Sequence, residues 1–238
     1  AAWADVARRI AHEIKNPLTP IQLSAERLQR RYGDKIAEGD EVFSKLTSTI
    51  VRQVGDLRNM VDEFSSFARM PKPVFRPERI DEIARETLFL QEVGHPGISY
   101  GMVRDDELPD LVCDRRQIAQ AFTNLLKNAA EATEENETNG MPKPDIQMRL
   151  RQKSGLLIAE TCDNGPGMPE HLRERVTEPY VTTRAKGTGL GLAIVSKIVE
   201  EHGGILSFHD RGEGSGTCVR MAFDPAALAR LGATDQNG

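Results

Sequence analysis

His12-Glu13-Ile14-Lys15-Asn16-Pro17-Leu18-Thr19-Pro20 lies inside a helical pattern in which Ile14, Ile21 and Leu28 recur every seven residues. Ile10, Pro17 and Ser24 fill the offset seam position. An apolar stripe with this period marks a helix that packs lengthwise against another helix. With Ile14 at heptad position a, His12 falls at f, farthest from the seam, and its imidazole is expected to point into solvent. Asn16 sits one turn later on the same face and Glu13 lies beside it. An ordinary histidine has a pKa of about 6.5, so near pH 7 it is largely neutral and one ring nitrogen is free to attack. A neighbouring carboxylate can orient the other nitrogen or take its proton. Pro17 removes a backbone bond and is expected to bend the helix below the histidine. A lone exposed histidine is more often only solvated, so the weight falls on what accompanies it.

Outward from this stretch, the pattern breaks around Tyr32-Gly33-Asp34. It then resumes with Phe43, Ile50, Leu57 and Phe64, with Leu46, Val54, Val61 and Phe67 beside them. Two such helices joined by a short loop read as an antiparallel hairpin. A hairpin cannot bury both sides of such a stripe alone, so a second copy completing a four-helix bundle is expected. Met70-Pro71-Lys72-Pro73 ends the second helix, because proline cannot continue it. The reading gives a helical hairpin over 1–70, a linker over 71–77, a second, α/β domain over 78–226 and a C-terminal tail over 227–238.

In the second domain the pattern alternates. A helix is predicted over about Ile80–Glu92, strand-like stretches near Gly97–Val103 and Asp110–Cys113, and a helix capped by Asp114 running to about Thr133. The polar segment Glu134–Lys143 reads as an exposed loop. Strands follow over Asp145–Gln152 and Leu156–Cys162, then an irregular, glycine-rich stretch from Asp163 to Gly189. A helix near Leu190–His202 is closed by Gly203-Gly204, and two last strands flank Gly212-Glu213-Gly214. This is an α+β pattern, a sheet with helices on one face.

Composition is that of an ordinary globular chain: 238 residues, 39% hydrophobic, 28% charged and 5% aromatic, with a net charge of -5. The acidic balance gives no support to nucleic-acid binding. No apolar run approaches the ~20 residues needed to span a bilayer. No signal-peptide pattern opens the chain. The first residues already read as helix with no initiator Met, so a piece of a longer protein is expected, with any membrane contact made by regions that precede it. Cys113, Cys162 and Cys218 are odd in number and widely spaced. They fit neither a disulfide framework nor a zinc site, and a reducing cytosol is the simplest home.

Four further stretches carry chemistry. Asn124-Leu125-Leu126-Lys127-Asn128-Ala129-Ala130-Glu131-Ala132 is helical, so Asn124 and Asn128 project from one face with Lys127 close by. Amide oxygens suit a hard cation and an ammonium suits phosphate. Asp163-Asn164-Gly165-Pro166-Gly167-Met168 follows a strand. Its Asp can accept a hydrogen bond from an amino group, and its glycines allow close backbone approach. Glu178-Pro179-Tyr180-Val181-Thr182-Thr183-Arg184 sets one aromatic among polar groups. Lys186-Gly187-Thr188-Gly189-Leu190-Gly191-Leu192 opens a helix whose free N–H groups suit phosphate. It is neither a dinucleotide fingerprint nor a Walker A loop. Taken singly, each has a bland reading as a polar face, a turn or a loop. A structureless segment from Met168 to Gly187 between two of them reads as a lid.

The ordered set resembles the sensor histidine kinases of two-component signalling, over roughly Val6 to Phe223. His12–Pro20 is similar to the H box of that family, Asn124–Ala132 to the N box, Asp163–Met168 to G1, Glu178–Arg184 to F and Lys186–Leu192 to G2. The H-box wording is most similar to NtrY-type nitrogen-regulation kinases. The resemblance implies a dimerisation and phosphoacceptor hairpin followed by a Bergerat-type α/β sandwich. It implies His12 as phosphoacceptor, Glu13 as its acid–base partner, and Asn16 as positioning water for dephosphorylation of a regulator. Asn128 would ligate Mg2+, with Asn124 and Lys127 near the phosphates of ATP, and Asp163 would bind the adenine amino group. Gly165, Gly167, Gly187, Gly189 and Gly191 would shape the pocket and lid, with Tyr180, Thr182, Thr183, Lys186, Thr188 and Leu190 also in the nucleotide site. Tyr180 stands where Phe is commoner, and the ring can still pack. The implied partners are a second copy and a response-regulator receiver domain, NtrX-like if the subfamily holds.

Two rival readings are a Bergerat-fold ATPase of the chaperone, mismatch-repair or gyrase kind, and a non-enzymatic signalling scaffold. The first needs no H box. The second is disfavoured because every expected polar group is present.

Overall fold

The computed structural model describes residues 2–33, 41–68, 70–133, 142–173, 175–178, 189–212 and 214–235. The chain divides into two compact units: the first runs to Pro71 and also takes in Gly189 and Leu190, and the second holds the other described residues from Lys72 onward.

The first unit is a pair of packed helices, α1 (Ala2–Tyr32) and α2 (Glu41–Ala68). Helix α1 is continuous through both Pro17 and Pro20. The surface buried within the pair takes in only Val54 and Val61 of the predicted pattern. It is formed by Ala11, Leu18 and Ala25 on α1 and by Thr47, Val54 and Val61 on α2. Both sets keep the seven-residue spacing, but the α1 set is offset from Ile14, Ile21 and Leu28. Small alanines let the helices approach closely, and the bulkier stripe is left outside. Gln29 donates to Ser48 Oγ at 3.0 Å, and Lys15 pairs with Asp62, tying the helices at two levels.

The second unit is a mixed sheet with helices on one face. Its elements are β1 (Arg76–Glu78), α3 (Ile80–Gly94), β2 (Ser99–Arg104), β3 (Leu111–Cys113), α4 (Arg115–Thr133), β4 (Asp145–Lys153), β5 (Leu156–Asp163), α5 (Gly191–Glu201), β6 (Ile205–Asp210), β7 (Thr217–Phe223) and α6 (Pro225–Asp235). The main sheet runs β2-β4-β5-β7-β6, and β1 pairs with β3 in a separate ribbon. Strands β2 and β4 are parallel, as a crossover through α4 requires, and the other pairs are antiparallel. On β4, Ile146, Met148 and Leu150 are buried and alternate with more exposed Gln147, Arg149 and Arg151, the signature of one covered face. Ile118, Phe122, Leu125 and Leu126 of α4 join them in the core.

Strand β5 is buried along nearly its whole length. On the face away from α4, its Glu160 carboxylate is held by Arg151 and Arg220, so the charge is paired rather than stranded. The caps follow the sequence reading. Asp114 Oδ1 accepts the N–H groups of Arg116 and Gln117, and Gly203, at φ 60°, ends α5.

Two features depart from the sequence expectations. Residues predicted as a tail begin as α6, with the Asp224 carboxylate accepting from Ala226 and Ala227 and Leu228 buried. Asp-Pro ahead of an alanine run is a helix start that could have been read. The cysteines are the second correction. Cys162 and Cys218, 56 residues apart, are disulfide-bonded, because β5 pairs with β7 in the register that sets them opposite each other. Spacing along the chain carries no information on cross-strand neighbours, so the inference of a reducing compartment from cysteine usage loses its footing. Cys113 is a free, buried cysteine whose thiol is pushed up to about 12, mainly by burial.

Candidate nucleotide and phosphoacceptor sites

Helix α4 supplies the centre of the nucleotide site. Asn124 and Asn128 are half-buried one turn apart and Lys127 is exposed between them. Among the described residues, Asn124 Nδ2 is buried with no hydrogen-bond partner. A buried donor left unsatisfied is costly, and a phosphate oxygen is a fitting acceptor for it. Gly191, the first residue of α5, lies against the Asn128 amide, since a Cβ there would stand 3.5 Å from both its terminal atoms. This contact joins the Asn124–Ala132 and Lys186–Leu192 stretches read from sequence.

The third element is the end of β5. Asp163 is 6% exposed, and its Oδ1 accepts the N–H of Gly165 at 2.9 Å and of Thr217 at 3.3 Å. Two backbone donors hold the carboxylate in one orientation. Gly165 packs on the C-terminal end of α4, where a Cβ would come within 2.7 Å of the Ala132 carbonyl oxygen. Any side chain there would push the Asp163 turn off the helix. Gly167 takes φ 88°, a conformation natural to glycine.

The structure adds residues that sequence reading left as a plain turn. Ser215 donates to the Gly165 carbonyl at 2.7 Å. Gly216, at φ 139°, abuts the Asp163 carbonyl so closely that no side chain fits. Thr217 supplies the N–H described above. The signal available was Gly214-Ser215-Gly216, a run of small residues ahead of a strand, which permits close backbone approach. Beneath the turn, Asn164 accepts from the Asp145 N–H at 2.9 Å and donates to the Lys143 carbonyl at 2.7 Å. Burial would raise the Asp145 carboxyl, but hydrogen bonds from Arg211 and Gln147 hold it below the usual carboxylate range.

Of the remaining predicted residues, Gly189 is described with φ 68° and Leu190 is fully buried. Tyr180, Thr182, Thr183, Lys186, Gly187 and Thr188 lie outside the described residues. So does most of the predicted lid. A groove of about 400 Å³ between α5 and β6, lined by Arg173, Ser196, Glu200 and Phe208, contains none of the predicted site residues. Among the described residues no cluster of His, Cys, Asp and Glu is arranged to hold a metal.

On the hairpin, Glu13, Asn16 and Thr19 are exposed on α1. His12 belongs to the same helix, and its side chain is outside the described part of the structure.

The HisKA family, the phosphoacceptor domain of histidine kinases, matches residues 2–73. The family of histidine kinase-, DNA gyrase B- and HSP90-like ATPases matches residues 113–227. The catalytic domain of histidine kinase ThkA, with 95% of its length covered, is 30% identical at a TM-score of 0.56 over 63% of this chain. This chain belongs to the sensor histidine kinase family. The nitrogen regulation protein NtrY of Azorhizobium caulinodans is 54% identical over 226 residues, 94% of this chain and 29% of the relative. The kinase thus spans under a third of the length of that relative. ThkA solved in complex with the response regulator protein TrrA aligns over 93% of the kinase and 61% of ThkA, at a TM-score of 0.66 and 27% identity. Among the described residues, no helix is long and apolar enough to cross a membrane.

Proposed function

We propose that this kinase core binds ATP against α4 and transfers its γ-phosphoryl group to His12, which then passes it to an aspartate of a response-regulator receiver domain. The observation that carries the reading is the meeting of three separately recognised stretches around one helix: Gly191 on Asn128, Gly165 on Ala132, and Asp163 oriented by two backbone N–H groups. The oriented Asp163 carboxylate accepts the adenine amino group. The N–H groups at the start of α5 and the Asn124 amide meet the phosphates, and Lys127 adds a positive charge. Asn128 is the residue that would hold Mg2+, which when bound neutralises triphosphate charge. Phosphoryl transfer depends chiefly on positioning and charge stabilisation. Glu13 takes or shares the proton of His12. Asn16, one turn on, positions water when the core dephosphorylates its regulator.

The hairpin works as a homodimer. The stripe of Ile14, Ile21, Leu28, Ile50 and Leu57 that one copy leaves exposed is the surface a second copy covers. The reading keeps the functional divisions 1–70, 71–77, 78–226 and 227–238. It places this core in the cytoplasm of a parent protein anchored in the inner membrane. The regulator is NtrX-like, in keeping with the resemblance to NtrY.

The test is incubation with γ-labelled ATP and magnesium. Label that is lost in acid and kept in base identifies phosphohistidine. The His12→Gln variant is expected to take up no label while binding ATP as the parent does. Stable label on that variant would overturn the assignment.

A further inference from the structure

The nucleotide reading leaves one cluster unused. Strand register places Gln147 on β4, Cys162 on β5, Cys218 on β7 and His209 on β6 in a single row across the sheet. The row lies on the face away from α4, because the alternate residues Ile146, Thr161 and Thr217 belong to the other face. Cys162 and Cys218 are bonded to each other, and they are 0% and 5% exposed. Each stands one residue from the adenine-site carboxylate or its support. Cys162 precedes Asp163, and Cys218 follows Thr217, whose N–H reaches Asp163 Oδ1 at 3.3 Å.

We propose that Cys162–Cys218 is a reversible redox modification site that sets nucleotide affinity, reduced by low-molecular-weight thiols and re-formed by their disulfides. The proposal rests on the nucleotide reading of Asp163. A thiolate attacks Sγ of Cys218, the more exposed residue of the pair and the one next to edge strand β6. The Cys162–Cys218 bond breaks, and Cys162 leaves as thiolate and takes up the proton that the attacking thiol gave up. A second thiol then attacks the mixed disulfide on the sulfur of the first, releasing the Cys218 thiol. In sum, two thiols are oxidised to one disulfide and the protein disulfide is reduced to two thiols.

The consequence follows from geometry. The bond ties β5 to β7 at the residues next to Asp163 and Thr217. Without it the two strands are free to part there, which draws Thr217 away from Asp163. The Thr217 N–H bond is already long at 3.3 Å, so a further half-ångström or so ends it. The carboxylate then loses a backbone N–H donor that helps to orient it.

The experiment titrates the full 238-residue chain with a fluorescent ATP analogue, after oxidation by oxidised glutathione and after reduction by dithiothreitol. Maleimide mass-tagging under denaturing conditions counts thiols. One thiol, Cys113, is expected in the oxidised chain and three in the reduced one. Reduced protein is expected to bind the analogue at least about fivefold more weakly. Reoxidation restores affinity, and Cys162→Ala/Cys218→Ala ignores both reagents. Equal binding by the two verified states overturns the proposal, as does persistence of three thiols in excess oxidised glutathione. An Asp163→Asn control separates the two failures. If this variant binds the analogue like the parent chain, the assignment of Asp163 falls and the proposal with it. If it loses binding while the two redox states bind alike, the assignment stands and the proposal alone falls.

Discussion

On α4, Ile118, Phe122, Leu125 and Leu126 are at most 2% exposed, whereas on the hairpin Ile14, Ile21, Leu28, Ile50 and Leu57 remain 41–47% exposed. Both regions carry apolar residues at helical spacing, and only one of them closes its core within a single chain. A sheet offers a broad face against which a helix buries its stripe from one side. Two helices can cover only one flank of each other, and here the small-residue flank is the one covered. The sheet unit should therefore owe its stability to its own interior, and the hairpin should owe part of its stability to association.

The sharpest break of this comparison is Phe122→Ala. Loss of a fully buried ring is expected to destabilise the sheet unit by about 3–5 kcal/mol, read by urea unfolding followed at a probe in that unit. A change under about 1 kcal/mol would mean that α4 is not the core element described. The counterpart is Ile21→Ser with Leu57→Ser. Unfolding of the sheet unit should be unaffected, while dimer dissociation shifts by about 2 kcal/mol or more, roughly thirtyfold in Kd by sedimentation equilibrium. An unchanged Kd would show that the exposed stripe is not the dimer seam.

A smaller effect is expected at Asp114, whose Oδ2 accepts the Val74 N–H at 2.9 Å while its Oδ1 caps α4. Asp114→Ala is expected to cost about 1–2 kcal/mol. Burial would raise this carboxyl, but the N–H groups of Val74, Gln117 and Arg116 hold it below the usual range. Its contribution is therefore present above the unfolded pKa of about 3.9 and is lost as pH falls through the lower folded value.

His202 provides a milder pH signature. Its Nε2 accepts the Asp114 N–H at 3.0 Å and its Nδ1 donates to the Ile198 carbonyl at 2.8 Å, so it is buried as the neutral ring. Burial lowers its pKa, and the unfolded chain takes up the proton first on acidification. Stability is full above about pH 6.5 and falls below it, by at most about 1.4 kcal/mol per pH unit, until the folded pKa is reached. The difference in slope between the parent and His202→Gln measures it, and parallel profiles would refute it. Least of all should come from Lys15→Ala. It removes a partly exposed ion pair with Asp62 and should change hairpin melting by about 0.2–1 kcal/mol.

The sequence by itself determined the element order of the sheet domain from α3 to β7, the Asp114 cap, the stop at Gly203 and the boxes that mark a histidine kinase. Each of these is written in residues a few positions apart, where helix and strand periods and turn chemistry operate. It left β1 unread, since three residues carry no period, and it missed α6, whose Asp-Pro start was there to be read. Only the tertiary structure decided which flank of the hairpin is covered, because Ala11 and Ile14 both fit a seven-residue spacing and the choice depends on how closely two backbones approach. It alone set Thr217 against Asp163 and Gly191 against Asn128. It alone bonded Cys162 to Cys218 across 56 residues, because strand register is a long-range choice made by the packed sheet as a whole.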